Sequence, residues 1–565
     1  MSLQDTPERP AAPGGLKLIS VCIIASLAYN AALLSRVWPS ISGDSAIHLV
    51  YARNLARGLM FEFNPGEKSF GSTSPAWMAL QAICFRFFPD SAITLCAAQA
   101  MFFHMACPVL AAWLVWKIAR SSLAAGWAAI AWTLCSGYSG ITCAAGCMET
   151  PFCAFLIFCA SLLLFHCVRD PEPRPILFAA MGIALGMLPL VRPECVIYSL
   201  CYGAAIAAAN WKRGGGRNRG WTLAAFALAA AVFLPYELYQ ARHTGSLIPD
   251  SGLSRLLFAR EGAPRIAGVC ISERLVFRFA SDAAPALLIV FGSLAVFQKP
   301  RDLFLGALAA SFAGNIVFWT FAFPMRLDWY TGRYWQVVWP PLVILGACGT
   351  ASCEFLQTFV RKDCANVITG RKIRMMSPVI ILAAVTACRE AVNVLTYKPS
   401  HIHNACDLKL CRTLEAITPP HSTILTLEVQ ARYFLDRRIL SMDGITDGKI
   451  LPFMKPGADH ADFLLKYRPD FMIFSSMLDR RLQSYGESLL LLAPRAFTRL
   501  AAMPQPAGTR ITIDASNTRL IGLYGDGEII ITKPGSGVNF HFNTDRGSLF
   551  WYFTDIPTIR LTYDK

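Results

Sequence analysis

The 565-residue chain is poor in charged residues: Asp, Glu, Lys and Arg make up only 16% of it, whereas a soluble domain carries about a quarter. Hydrophobic residues account for 54%, and apolar runs of membrane-spanning length recur between Lys17 and Leu395. The shortage of charge therefore excludes a soluble globular protein and indicates a polytopic α-helical membrane protein.

The sequence also lacks the patterns that would indicate nucleic-acid or zinc binding. Its net charge is +15, but the basic residues are spread over short loops between apolar runs, which is typical of topology signals and of contact with anionic lipids. No CxxC pair is matched by a second pair or by histidines, and most of the 19 cysteines lie in apolar runs, where cysteine acts as a small hydrophobe. No convincing cleavage site follows the first apolar run, so we expect a retained first span.

The spans are predicted from the length of the apolar runs, and their orientation from the lysines and arginines between them. The apolar segment Ala76–Phe88 is shorter than the ~20 residues that a crossing needs, so we expect an interfacial, re-entrant or tilted helix. If it does not cross, the basic loops fall on the cytoplasmic side with the N-terminus, as the positive-inside rule favours.

This interpretation predicts about eleven spans. They are Leu18–Leu34, Ile93–Trp116, Leu123–Ile141, Thr150–Val168, Ile176–Leu190, Cys195–Asn210, Trp221–Tyr239, Ala284–Phe297, Leu303–Phe323, Trp335–Cys353 and Pro378–Leu395.

Three parts of the chain follow from this topology. Residues 1–16 form a cytoplasmic tail, and residues 17–397 form the transmembrane domain, which includes an external loop with juxtamembrane helices at 42–90. In residues 398–565 short apolar runs alternate with Pro, Gly and Asp turns, which predicts a small α/β or α+β domain. An odd number of spans places that domain outside the cytoplasmic (inner) membrane.

The external loop contains a predicted amphipathic helix over Ser45–Arg57, because Ile47, Val50, Tyr51 and Leu55 recur at helical spacing. Asp44 stands at the N-cap position, so it is either a structural cap or an acid held at the headgroup boundary for chemistry.

Further polar residues stand at predicted membrane boundaries on the same external side. Glu149 and Glu194 are costly there unless they are paired or hydrated, and Arg192 and Arg333 are available as partners. A common face with acids, arginines and aromatics is what a cavity for an anionic amphiphile would need.

Each of these residues also has a structural interpretation that stays open at this point. Glu149 can cap the following helix, and Arg192 with Glu194 can form a structural ion pair. Tyr334 can be an interfacial anchor, and His48 can be a packed helix residue.

The segment Gly43–Trp77 reads GDSAIHLVYARNLARGLMFEFNPGEKSFGSTSPAW. It resembles the first external loop of the GT-C superfamily of membrane glycosyltransferases, in particular the branch with the actinobacterial arabinofuranosyltransferases, which reads DDAYISFRYARNLAxGxGxxFNPGExVEGYTSPLW. Further matches occur in the family's order. They are CMETP (147–151), VRPE (191–194), GSLIPD (245–250), GRYWQVVWPPLVIL (332–345) and ARYFLDRRILSMDGITD (431–447).

The resemblance implies an enzyme that moves a sugar, such as arabinofuranose or another pentose, from a polyprenyl-phosphate donor to an extracytoplasmic glycan or glycoconjugate, with inversion. The family's loop aspartate acts as general base or electrostatic anchor, and Asp44 matches the second of its two acids. Gly43 replaces the first acid, which weakens the case for a divalent cation. No other cofactor is expected.

The remaining assignments follow from residue chemistry. An arginine can stabilise the charge that develops on a departing phosphate, and the predicted phosphate-binding residues are Arg192, Arg333 and Arg53. The predicted sugar- or acceptor-binding residues are Glu149, Glu194, Asn54, His48 and Tyr334. We expect Asp44 to accept the proton of the acceptor hydroxyl.

Two other functions remain possible on sequence grounds. The protein could be a flippase for a lipid-linked sugar, although its sequence shows no inverted repeat and no charged residues placed mid-span in paired halves. Alternatively, it could be a non-catalytic membrane protein whose external domain, from Pro399 onward, binds glycan.

Overall fold

The computed structural model describes most of the chain up to residue 352 and separate segments beyond it. The described residues are 13–37, 41, 43–213, 216–254, 283–322, 331–352, 415, 420–426, 431–441, 444–454, 463, 466–467, 471–473, 511–514, 523–524, 529–532, 539–542, 550–551 and 558–563.

Helices dominate the N-terminal part. They are α1 (Pro13–Val37), α2 (Gly43–Ala56), α3 (Pro75–Phe87), α4 (Ala92–Ala119), α5 (Ser122–Ala145), α6 (Thr150–Arg169), α7 (Pro175–Val191), α8 (Val196–Lys212), α9 (Gly216–Thr244), α10 (Ala283–Gln298), α11 (Leu303–Ala322) and α12 (Thr331–Ser352). Each predicted span up to Trp335–Cys353 overlaps one of these helices. The last predicted span, Pro378–Leu395, lies outside the described residues.

Four segments of the described chain are long and apolar enough to cross a membrane. They are Gly15–Ser35, Pro89–Ala119, Thr150–Arg169 and Gly216–Thr244. Helix α7, Leu288–Gln298 and Leu303–Trp319 are apolar but shorter. The protein is thus a polytopic membrane protein, while the number of eleven crossings stays a prediction.

The largest apolar core lies among α4–α8 and α10–α12, where Trp132, Phe158, Tyr198 and Trp339 are almost completely buried. Helix α5 is kinked at Gly137, whose backbone has φ +47°. Gln336 of α12 donates a hydrogen bond from Nε2 to the carbonyl of Ser136 at 3.0 Å, which supplies a partner to the backbone at the kink.

Helix α3 is the short apolar helix that the sequence predicts, and it runs along one end of the bundle. Its 13 residues extend about 20 Å. Ser74, just before it, donates to the carbonyl at Val191, where α7 ends, and Trp77 donates to the carbonyl of Cys147, just before α6. After α3 the chain passes through a short turn into α4. Both ends of α3 therefore lie near the same end of the bundle, which agrees with a helix that does not cross.

The structure corrects the expected environment of α2. Asp44 lies inside the first turn of the helix and not at its N-cap. The helix is enclosed on both sides: Ile47 and Val50 pack with residues of α3 and the C-terminal part, whereas Leu49 packs against α4 and Cys147. It is therefore not a helix with a single apolar face resting on the membrane. Gly58 ends this segment as predicted, with φ +87°.

The described residues of the C-terminal part include nine strands and a short α-helix. These are β1 (Thr423–Thr426), α13 (Ala431–Phe434), β2 (Arg438–Ser441), β3 (Phe471–Ile473), β4 (Ile511–Asp514), β5 (Leu523–Tyr524), β6 (Ile529–Thr532), β7 (Asn539–Phe542), β8 (Phe550–Trp551) and β9 (Thr558–Tyr563). A five-stranded sheet has the order β2-β1-β3-β9-β4, in which β2, β1 and β3 are parallel and β9 is antiparallel to both neighbours. Parallel and antiparallel strands thus share one sheet, while a separate α/β or α+β domain outside the membrane stays a prediction.

The loop after α2 packs tightly on the C-terminal part. Asn64 donates to the carbonyl of Ile439 at 2.8 Å and accepts from its N–H at 3.0 Å. A Cβ at Gly71 would lie 2.4 Å from the Cα of Thr446, so only glycine allows this approach. Several polar side chains meet here. We call them the junction cluster: Tyr51, Glu67, Asp250, Arg438, Asp447 and Lys449.

Candidate functional site

A second group of polar side chains lies where the ends of α6, α7 and α12 meet the first half of α2. We call it the helix-end cluster: Asp44, His48, Glu149, Arg192, Glu194, Arg333 and Tyr334. It contains seven of the nine residues that the sequence predicts for the site.

Arg192 is the buried centre of the helix-end cluster. Pro193 follows it and favours an extended residue before it, so α7 ends and Arg192 adopts φ −152°. Its Nη1 donates to Glu149 Oε1 at 2.5 Å, and its Nε donates to Glu194 Oε1 at 2.5 Å. All three residues are at most 5% exposed. One guanidinium thus joins the turn before α6 to the turn after α7.

His48 connects α2 and the external loop to this centre. Its Nε2 lies 3.3 Å from Glu149 Oε2, and its Nδ1 lies 2.9 Å from Ser72 Oγ. Ser74 of the same loop bonds the end of α7. The two serines belong to the STSP part of the loop motif, and sequence reasoning did not single them out because serine is common in any loop.

Asp44 and Arg333 form the accessible edge of the helix-end cluster. Arg333 donates from Nη1 to Asp44 Oδ2 and from Nη2 to the hydroxyl of Tyr334 at 2.9 Å. The side chain of Asp44 is 28% exposed and that of Arg333 is 14% exposed. The ring of Tyr334 lies against both arginines, with its centroid 4.9 Å from Cζ of Arg192 and 4.8 Å from Cζ of Arg333. The ring therefore lets two cations approach each other.

Burial and neighbouring charges shift the pKa values of the buried residues in opposite directions. Burial raises the pKa of Glu149, but the charges of Arg192, His48 and Arg333 outweigh it and hold this pKa well below its usual value. Burial likewise opposes the charge of Arg192, whereas Glu194 and Glu149 raise its pKa. The neighbouring cations thus favour the ionised form of Glu149, whose carboxylate accepts the hydrogen bond from Arg192.

The structure gives no donor set that identifies a cation. Within the described part of the chain, no group of three or more His, Cys, Asp or Glu residues is arranged to hold a metal ion. Gly43 contributes no side-chain oxygen beside Asp44, and the Oε1 atoms of Glu149 and Glu194 accept hydrogen bonds from Arg192. We therefore assign no metal to the site.

Two predicted site residues lie apart from the helix-end cluster. Arg53 is about 14 Å further along α2 than Asp44 and donates to the carbonyls of Tyr433 (2.8 Å) and Arg432 (3.2 Å). Asn54 donates to the carbonyls of Glu62 and Phe63 at 2.8 and 3.1 Å. Both side chains hold α2 to its loop and to the C-terminal part, so we leave them out of the proposed site.

Comparison with known proteins identifies the fold. No family model and no curated protein matches the chain. The crystal structure of ArnT from Cupriavidus metallidurans bound to undecaprenyl phosphate has a TM-score of 0.50 at 13% identity, and the match covers 86% of this chain and 95% of that one. The oligosaccharyltransferase of Archaeoglobus fulgidus in its apo form has a TM-score of 0.53 at 10% identity, covering 83% of this chain and 70% of that one.

At this level of identity the likeness shows the fold alone. The chain therefore shares the fold of these two proteins, whereas its place in the GT-C superfamily and in the arabinofuranosyltransferase-like branch stays a prediction.

Proposed function

We propose that the protein is an integral-membrane glycosyltransferase that moves a sugar from a polyprenyl-phosphate donor to an extracytoplasmic glycan or glycoconjugate. The observation that carries this proposal is the Asp44–Arg333 pair, which lies at the accessible edge of a buried ionic cluster on a fold shared with ArnT. An acid and a guanidinium side by side are the two groups that such a transfer requires.

In the proposed reaction the acceptor hydroxyl attacks the anomeric carbon while the bond from that carbon to the phosphate oxygen breaks. Asp44 takes the hydroxyl proton, and the polyprenyl phosphate leaves with the bonding electrons. A single displacement of this kind inverts the anomeric centre.

Arg333 is the proposed contact for the departing phosphate, because its guanidinium is already at the accessible edge and can exchange Asp44 for a phosphate oxygen. Arg192, which contacts the ring of Tyr334, adds positive charge to the site, and Glu149 and Glu194 hold Arg192 in place. His48 fixes the loop against Glu149.

The choice of donor is supported by the ArnT neighbour, which is described as bound to undecaprenyl phosphate. Arabinofuranose or another pentose is proposed from the sequence resemblance alone. The proposed location is the inner membrane, with the N-terminus in the cytoplasm and residues 398–565 on the opposite side, where the acceptor would be.

The test uses the full-length protein in proteoliposomes with radiolabelled polyprenyl-phosphate pentoses and hexoses. We expect Asp44→Asn to reduce transfer by about 100-fold or more, because general-base catalysis contributes on that order. The matched control is Asp170→Asn, which lies after the far end of α6, about 30 Å from Glu149. It should transfer normally.

Two results would contradict the proposal. Full activity of Asp44→Asn would remove the base role. Movement of labelled lipid between leaflets by the wild-type protein, without transfer from any donor, would identify a flippase.

A further inference from the structure

A groove lies at the other end of α2, about 20 Å along the helix from Asp44. It is formed by the end of α2 and the outer side of α3, and its volume is about 570 Å³. Leu55, Gly58 and Ala82 are among the residues that line it. None of the helix-end cluster lines this groove.

Two arginines line the groove, one from each helix. Arg57 stands at the end of α2 and Arg86 in the last turn of α3, and both are exposed. Among the described residues neither guanidinium has a carboxylate within salt-bridge distance. Arg53 and Arg432 lie close by: burial, then the charge of Arg432, and then that of Arg57 lower the pKa of Arg53. The groove therefore carries an excess of positive charge that favours an anion.

Part of the groove lining, which we call the apolar wall, comes from α3. Ile83 and Phe87 line it, and Phe87 is 69% exposed, followed by Phe88 at 58%. Because α3 runs along the end of a membrane-spanning bundle, its large exposed apolar side chains are suited to contact acyl chains. Arginine next to exposed phenylalanine is the pattern of the headgroup boundary, where a guanidinium reaches phosphate and the ring stays in the hydrocarbon.

We propose that this groove binds an anionic phospholipid. Arg57 and Arg86 hold the phosphodiester from two sides, and one acyl chain lies along Ile83 and Phe87. Guanidinium groups suit a phosphate because they donate two parallel hydrogen bonds. A soluble anion would satisfy the arginines but would leave the apolar wall uncovered, so the combination selects a lipid. Such a lipid would fix the end of the helix whose first turn carries Asp44.

The test measures lipid binding directly, in the absence of sugar donor, and so is independent of the proposed transferase activity. Delipidated full-length protein in detergent is titrated with phosphatidylglycerol and with phosphatidylcholine of the same acyl chains, and bound lipid is counted by native mass spectrometry. We expect phosphatidylglycerol to bind more tightly, and the double variant Arg57→Gln/Arg86→Gln to raise its Kd roughly tenfold.

The matched control is Arg242→Gln/Lys466→Gln, which removes the same charge from exposed positions that do not line the groove. It should leave the Kd for phosphatidylglycerol unchanged. A Phe87→Ser variant tests the apolar wall and should weaken binding while both arginines remain.

Three results would overturn the proposal. Equal binding of the two lipids, unaffected by loss of both arginines, would show that the groove has no anion site. Complete displacement by millimolar inorganic phosphate would identify a soluble anion. One-for-one displacement by decaprenyl phosphate at equal concentration would assign the groove to a polyprenyl carrier.

Discussion

The helix-end cluster and the junction cluster each contain a buried acid, yet the pKa values of these two acids, Glu149 and Asp447, are shifted in opposite directions. In the first, Glu149 and Glu194 each accept a hydrogen bond from the guanidinium of Arg192, and the pKa of Glu149 is lowered despite its burial. In the second, burial raises the pKa of Asp447 to about 7, with Lys449 and two backbone N–H groups offsetting it only in part.

The difference lies in where the cation binds. Arg438 and Lys449 both bond the carboxylate of Glu67, which is partly exposed, and Asp447 accepts hydrogen bonds from the backbone N–H groups of Ser441 and Lys449 at 3.3 Å. A buried acid stays ionised when a guanidinium bonds it directly. A cation that bonds a neighbouring carboxylate instead, as Lys449 bonds Glu67, does not compensate the buried acid for its lost hydration.

The strongest test of this contrast removes the buried guanidinium. Arg192→Met leaves Glu149 and Glu194 buried without their partner, and we expect a loss of about 3–5 kcal/mol of stability. Thermal unfolding of the full-length protein in detergent measures it. A loss no larger than that of a surface variant would show that water or another cation replaces Arg192.

A test of intermediate size uses pH. The pKa of Asp447 in the folded protein, about 7, lies above its unfolded value, so the folded state retains a proton that the unfolded state has released. Stability must therefore fall as pH rises from about 4 to about 7, by a few kcal/mol at most, since one pKa unit is about 1.4 kcal/mol. Unfolding midpoints at pH 5 and pH 8 should show this fall in the wild type and a smaller fall in Asp447→Asn.

Glu149→Gln is the control, because the pKa of Glu149 is shifted in the opposite direction to that of Asp447. The pKa of Glu149 is lowered in the folded protein, so its stabilising contribution is present above the unfolded value and is lost only on stronger acidification. Its replacement should destabilise equally at pH 5 and pH 8. If both variants showed the same pH dependence, the two acids would share one kind of environment.

The smallest effect is expected in the junction cluster. Arg438 and Glu67 have side chains that are 32% and 26% exposed, and Glu67 keeps Lys449 when Arg438 is lost. Arg438→Met should therefore cost less than about 1 kcal/mol in the same unfolding measurement. A loss that matches Arg192→Met would mean that this pair also supports the packing of the C-terminal part.

Much of the fold could be predicted because membrane helices follow from local composition. The predicted spans up to Trp335–Cys353 overlap helices. At α3 the apolar run is shorter than a membrane crossing needs, so an interfacial, re-entrant or tilted helix was expected there. The surroundings of α2 could not be predicted in this way. Its apolar positions fit a surface helix, but the C-terminal part, nearly 400 residues later, covers its other side.

The candidate site could likewise be predicted only in part. The loop motif directed attention to Asp44, His48, Arg53 and Asn54 together, since all four stand on one helix. Only the packing separates them, because Asp44 and His48 face the helix ends whereas Arg53 and Asn54 face the loop and the C-terminal part.

The sequence by itself determined that the protein is a bundle of membrane helices and which polar residues stand at their ends, because hydrophobic length and turn chemistry are local properties. The tertiary structure alone decided the partners: Arg192 with two acids, Arg333 with Asp44 across 289 positions, and Tyr334 against both arginines. Ion-pair choice depends on distances between elements far apart in the chain, and packing sets those distances.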